Sequence, residues 1–266
     1  MPLVCCLGMQ MQTTSSIARS FTAEARGVQP FRMIIPERFR GPHDAAHGGY
    51  ASGVYSALLG GRSAEVTLRN RTPLDTPLEV EVVDEGVRVM LGDTLLAEVV
   101  PAPIDFDAVA PVSVESAQLA TAGFPWYERH PSDGECFACG PGRLVGDGLR
   151  IFPGPVAGRE VVAGPWTPTA SDVDSAGKAL PEMVIATLDC TAFLGGVCFE
   201  PGGGPSLLGR LRSEVYGRPQ AGQTCVSVGW LLGRDGRKLN VGSALFDGSG
   251  ELLAIGRATW IELRTA

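Results

Sequence analysis

The chain has 266 residues, 44% of them hydrophobic and 19% charged, with a formal net charge of −7. That length suits one large domain or two of about 130 residues, and the apolar fraction excludes a disordered chain. The negative balance argues against nucleic acid or an anionic membrane surface as main partner, since both call for a broad positive face.

The 35 glycines and 20 prolines fall between apolar runs instead of forming a periodic tract, so they read as turns between many strands. Seven cysteines, odd in number and scattered, fit free thiols in a reducing cytoplasm better than a disulfide framework. No run of about 18 apolar residues occurs, so no membrane-spanning helix is expected. Residues 1–8 are apolar but lack a basic leading segment, and residues 1–30 read as a frayed tail.

Residues 31–36 form a short extended piece, and the Gly/Ala-rich stretch 48–59 reads as a helix. Strands are expected at 64–70, where valine and leucine alternate with polar residues, at 78–83, at 87–91, and at 94–100 after the turn Gly92-Asp93. Residues 101–132, rich in Pro, Ala and Ser, read as a connector, which sets a boundary near 125.

The second half repeats the order. Residues 149–152 and 161–165 are extended candidates, and 181–198 is a helix with Pro181 at its start. Strands follow at 207–216, 224–232, 239–247 and 251–263, with Asp235-Gly236 and Asp247-Gly248-Ser249-Gly250 as turns. Both helices are apolar on nearly every face, so each should be wrapped by its own curved antiparallel sheet. The expectation is an α+β protein built by internal duplication, with units at 31–124 and 125–266.

The two helices differ in their chemistry. His47-Gly48-Gly49 opens the first, and Asp189 is set among apolar residues in the second. A buried, unpaired carboxylate is costly and needs a reason. A helix start presents free N–H groups and partial positive charge, which suits stabilisation of an oxygen that gains negative charge. Glycine at 48 and 49 lets a ligand approach without a Cβ in the way.

His-Gly-Gly leading into a wrapped helix resembles the hotdog fold of acyl-CoA thioesterases, and two such units in one chain resemble the double-hotdog group. Cys136-Phe137-Ala138-Cys139-Gly140-Pro141, followed by Gly148-Leu149-Arg150-Ile151-Phe152, is similar to a segment of phenylacetate-pathway-type hotdog thioesterases. The resemblance covers most of 31–263. In single-hotdog members the catalytic carboxylate follows the histidine by nine positions, but here that position is Ser56. Nine positions before Asp189 stands Leu180-Pro181-Glu182, without the glycines. Nine residues of helix separate two groups by about 13 Å, so donor and acid must meet across a pseudo-two-fold, as they do in the family's dimers.

The resemblance implies hydrolysis of an acyl thioester on coenzyme A or an acyl-carrier protein, with no cofactor. Asp189 is the expected base or nucleophile. Gly49 or Tyr50 is the N–H donor, and His47 orients substrate or caps the helix. Gly48, Tyr50, Val54, Ile185 and Phe193 are expected to line the acyl site. Thr191, Ser213 and Gln223 are candidate polar helpers, and Arg69, Arg71, Arg210 and Arg212 candidate phosphate contacts.

Two other functions fit the same residues: a binding protein for acyl thioesters without hydrolysis, and an enoyl-thioester hydratase using His47 with Asp189. No metal is expected. Cys136-x-x-Cys139 lacks a second pair at zinc spacing, Cys190 and Cys198 stand eight apart on a helix, and His43, His47 and His130 make no zinc signature. Exposed sheet edges leave homo-oligomers open.

Overall fold

A computed structural model of the chain describes residues 31–41, 45–60, 63–124, 134–200 and 204–264. The tail expected at 1–30, and His43 and His130, lie outside them. The first half contains β1 (Phe31–Met33), α1 (Gly48–Ala57), β2 (Ser63–Leu68), β3 (Leu78–Val83), β4 (Gly86–Leu91) and β5 (Thr94–Pro101). After a short helix α2 (Val114–Ala120) come β6 (Gly154–Pro155), β7 (Val161–Trp166), α3 (Pro181–Val197), β8 (Ser206–Val215), β9 (Cys225–Asp235), β10 (Lys238–Asp247) and β11 (Leu252–Glu262).

All the strands join one antiparallel sheet in the order β1-β3-β4-β5-β2-β8-β11-β10-β9-β7-β6. Outward from its middle, the sheet runs β2, β5, β4, β3, β1 on one side and β8, β11, β10, β9, β7 on the other. The two halves thus follow one pattern and meet where β2 pairs β8, from Ser63↔Glu214 to Thr67↔Arg210. At this junction the strand alternation sends Val66 and Leu211, both fully buried, to the helix side. Glu65 and Arg212, the opposed pair next to them, bond at 2.8 Å on the other face.

α1 and α3 lie together against this sheet. α3 begins with Pro181, whose missing N–H is harmless at that position. Its last turn rests directly on β9, where a Cβ on Gly195 would come within 2.3 Å of the Gly229 backbone. α1 crosses α3 through its own glycines. A Cβ on Gly53 would lie 2.6 Å from Glu182 Cα, and one on Gly49 3.2 Å from Ala186 Cα. One and the same offset along the chain relates Gly49 to Glu182 and Gly53 to Ala186, so these two contacts are equivalent under the two-fold relation of the sheet. The largest apolar cluster draws on both halves, including Tyr55, Val66 and Val89 from one and Met183, Leu188 and Leu245 from the other.

Two segments differ from the sequence reading. Residues 149–152 form no strand. Leu149 N donates to Phe137 O and Ile151 N to Ala138 O, so this stretch braces the cysteine-containing loop instead of joining the sheet. The connector contains α2, capped by the Ser113 hydroxyl, which accepts from Ser116 N at 3.2 Å. α2 packs Val114, Ala117 and Ala120 against Val161, Ala163 and Val228 of the second half. Seven residues are too few to show helical periodicity in the sequence.

Because the sheet and core run through both halves, replacing Leu211 by alanine should lower stability by about 2–5 kcal/mol. Urea denaturation followed by circular dichroism and by tryptophan fluorescence should show this as one coincident transition, not as a half that melts first.

Candidate active site at the start of α1

His47 is the N-cap of α1, and its Nδ1 accepts the Tyr50 N–H at 3.1 Å. The proton of the neutral ring is therefore on Nε2. That nitrogen lies 3.3 Å from Cys190 Sγ and 3.4 Å from Asp189 Oδ2. One nitrogen facing both groups does not make a relay, in which acid and nucleophile occupy opposite ring nitrogens. Burial works against a charged ring, but Cys136 and Asp189 outweigh it and raise the His47 pKa above the usual imidazole value.

Asp189, on the middle of α3, is 1% exposed. Its Oδ2 accepts the Gly49 N–H at 2.6 Å, and its Oδ1 has no hydrogen-bond partner among the described residues. Burial pushes its pKa up to about 6, partly opposed by His47 and by the Gly49 N–H. The structure thus brings together His47, Gly49 and Asp189 from opposite halves of the chain, in a contact with no slack. A Cβ on Gly49 would stand 2.5 Å from Asp189 Cβ, and one on Gly48 2.9 Å from Leu208 Cδ2.

The remaining residues singled out from sequence are distributed as follows. Tyr50 stacks on Phe39 with ring centroids 3.8 Å apart, and Phe137 meets both rings edge-on. Half-buried Val54 packs against the cluster that holds Tyr50, whereas Ile185 packs with Leu208 and Leu211. Phe193 lies against Trp260 at 4.4 Å. Thr191 is turned toward β9, where it accepts from the Ser227 hydroxyl at 2.9 Å and donates to Thr187 O at 3.0 Å. Two residues along a helix point to different sides, so Thr191 does not steady Asp189. Gln223 closes an exposed turn by accepting from Gln220 N, and Ser213 is buried at the β2–β8 junction.

Three of the four cations expected for phosphate are engaged elsewhere. Arg69 pairs with Glu98, and Arg210 and Arg212 share Glu65. Arg71 is exposed. A different group stands nearer the helix start: Arg38, Arg40 and Arg143, with Glu37 and Glu135, line a cleft of about 260 Å³. The Arg38 guanidinium lies over the rings of Phe39 and Phe137, at 5.3 and 5.9 Å. Nothing in the local sequence marked these arginines, because 105 residues of chain separate Arg38 from Arg143.

Sequence spacing also hid a cluster of thiols. Cys136 Sγ is 3.7 Å from Cys190 Sγ, and both border His47. Hydrogen bonds from the Cys139 and Cys190 thiols hold Cys136 well below the ordinary thiol range, and the same contacts push Cys190 well above it. The neighbours that the sequence did not place beside Cys136 are supplied in space by Cys190 and His47.

No protein-family model matches the sequence, and no curated protein matches it. Solved structures do resemble it. The tesB protein of Mycobacterium avium subsp. paratuberculosis is 14% identical, superposes with a TM-score of 0.61, and is covered over 95% of this chain and 100% of its own. A protein of Novosphingobium aromaticivorans described as a thioesterase is 15% identical, with a TM-score of 0.56, over 90% of this chain and 98% of its own. The chain thus shares the fold of proteins that carry thioesterase names. Among the described residues, no helix is long and apolar enough to cross a membrane.

Replacing Gly49 by alanine places a methyl group on Asp189 Cβ in a region that cannot yield, because Ala186 backs it. Stability should fall by about 1–3 kcal/mol, and the crossing of α1 and α3 should loosen. Chemical denaturation measures the first, and faster amide hydrogen exchange in α1 the second.

Proposed function

We infer that this protein hydrolyses acyl thioesters, with coenzyme A or an acyl-carrier protein as the thiol, in a site shared by two fused hotdog units that divide near residue 124. One observation carries the reading: the Gly49 N–H in the first turn of α1 and the carboxylate of Asp189 are 2.6 Å apart, each from a different half.

In this reading the substrate carbonyl oxygen takes the place of Asp189 Oδ2 at the Gly49 N–H. The donor is fixed and the helix end adds partial positive charge, so the oxygen is stabilised as it becomes negative. The displaced carboxylate, whose Oδ1 is already without a partner, takes a proton from the attacking water or attacks the carbonyl itself. The thioester C–S bond then breaks, and the thiolate leaves and is protonated; where Asp189 has attacked, water then cleaves the resulting acyl anhydride, which releases the acid and restores the carboxylate. His47 holds the start of α1 in place and orients the carboxylate through Nε2. Gly48 gives room for the thioester, and Tyr50, Val54, Ile185 and Phe193 border the acyl group. Arg38 and Arg143 line the cleft beside the start of α1, and in this reading they give up their shared pairing with Asp147 to meet a carrier's phosphates.

A second reading has its own support. In this conformation the Gly49 N–H is satisfied by Asp189 and the Tyr50 N–H by His47, so both backbone donors are already used. A protein that binds acyl thioesters without cleaving them fits that closed arrangement. The hydratase alternative has no comparable observation in its favour.

The two readings separate on Asp189→Asn. Hydrolysis of a panel of acyl-CoAs, followed with a thiol-reactive dye, should fall by about 100-fold or more when the base is removed. Stability should stay level or rise by up to about 2 kcal/mol, as is common when a strained functional group is replaced. Turnover that survives the substitution rejects the assigned role. Acyl-CoA binding in calorimetry with no thiol released from any substrate favours the second reading.

A further inference from the structure

Beside Asp189, two cysteines and a histidine converge from separate parts of the chain: His47 at the start of α1, Cys136 in the loop before β6, and Cys190 on α3. The ligand atoms of His47, Cys136 and Cys190 all lie within 4.8 Å of one another. The two sulfurs are 3.7 Å apart, and His47 Nε2 is 3.3 Å from Cys190 Sγ. Cys139, three residues after Cys136, packs in the same apolar cluster as Cys136 and Cys190 and stands outside this group of three. Tetrahedral zinc, with Zn–S of about 2.3 Å and Zn–N of about 2.0–2.1 Å, sets two sulfurs about 3.8 Å apart and a sulfur and a nitrogen about 3.5 Å apart.

The loop is shaped to present its two sulfurs. Gly140 N donates to Cys136 O at 2.8 Å, and a Cβ on Gly140 would come within 2.5 Å of that same oxygen, so Cys-x-x-Cys-Gly folds tightly back on itself. Residues 149 and 151 brace it from behind. Apolar packing alone explains one buried thiol against another. It does not explain two thiols and an imidazole gathered at the edge lengths of a metal tetrahedron.

We propose that His47, Cys136 and Cys190 form a binding site for a soft divalent cation, zinc by choice, which draws in Cys139 of the same loop as fourth ligand and clamps the start of α1 to the cysteine loop and to α3. Sulfur ligands select against magnesium and calcium. On binding, three thiols release their protons to solvent, and the imidazole coordinates through Nε2 while carrying its proton on Nδ1. The Tyr50 N–H then loses its acceptor, so one cap hydrogen bond is exchanged for four coordination bonds.

Protein purified without chelators and analysed for elemental zinc should hold about one equivalent per chain. Replacement by cobalt should give sulfur-to-metal charge-transfer absorption and visible bands of a tetrahedral site. Cys139→Ser and Cys190→Ser should each lose the metal, Cys225→Ser should keep it, and loading should speed exchange of the Tyr50 amide. If the serine variants are not recovered folded, stripping the unmodified protein with a strong chelator replaces them, and its Tm should fall and return with zinc. Less than about one tenth of an equivalent after reduction and zinc loading, full retention in both variants, or a Cys136–Cys190 disulfide in protein isolated under thiol-blocking conditions overturns the proposal. These readouts need no substrate, so their failure leaves the hydrolytic reading to its own test.

Discussion

A carboxylate buried within one helix and tied to a first-turn amide of another is the contact on which the rest of this structure turns. It requires α1 and α3 to approach almost backbone to backbone, and side chains forbid that nearly everywhere. Gly49 and Gly53, four residues apart and hence on one face of α1, open the way, with Ala186 and the Glu182 backbone opposite. The β2–β8 pairing holds the two halves of the sheet in the register that makes this crossing possible. The glycines thus do two things at once: they permit close packing, and they leave an N–H directed at Asp189.

The contact sets packing against electrostatics. Burial raises the Asp189 pKa to about 6, while the Gly49 N–H and His47 pull it back. A helix N-terminus offers a carboxylate only part of what water does, and one of its two oxygens goes without any partner. A structural role alone would be met more cheaply by a neutral acceptor of the same shape. The retained charge, in contact with a free helix amide, is what gives the site its chemical interest.

Much of this was legible in the sequence, and for identifiable reasons. The strands 78–83 and 94–100 stand out because valine and leucine bounded by turns fix a strand locally, and Gly92 and Gly236 take the positive φ such tight turns need. The resemblance pairs His47 with Asp189 because each half of the sequence holds one part of a motif, a relation that can be read in one dimension. What stayed hidden depends on contacts between distant residues. Cys190 gives no metal signal because its partners are more than fifty positions away, and Arg143 meets Arg38 only after the cysteine loop folds. Residues 149–152 look like a strand, since Ile151 and Phe152 are apolar, but their backbone groups are used by that loop.

The two-fold relation also shows why only one of the two helix junctions has this chemistry. The positions equivalent to Gly49 and Asp189 are Glu182 and Ser56, and both are buried. Glu182 places a side chain where Gly49 leaves space, and Pro181 before it has no N–H to offer. Glu182 Oε2 and Ser56 Oγ each lack a hydrogen-bond partner among the described residues, and burial raises the Glu182 pKa. The packing half of the motif is kept at this second junction, since Gly53 still meets Glu182 Cα as Gly49 meets Ala186 Cα. The donor–acceptor half has no counterpart there. Helix packing is needed at both junctions to complete one core, and Gly53 and Ala186, which occupy equivalent positions, serve it, whereas a single site needs its donor and its carboxylate only once.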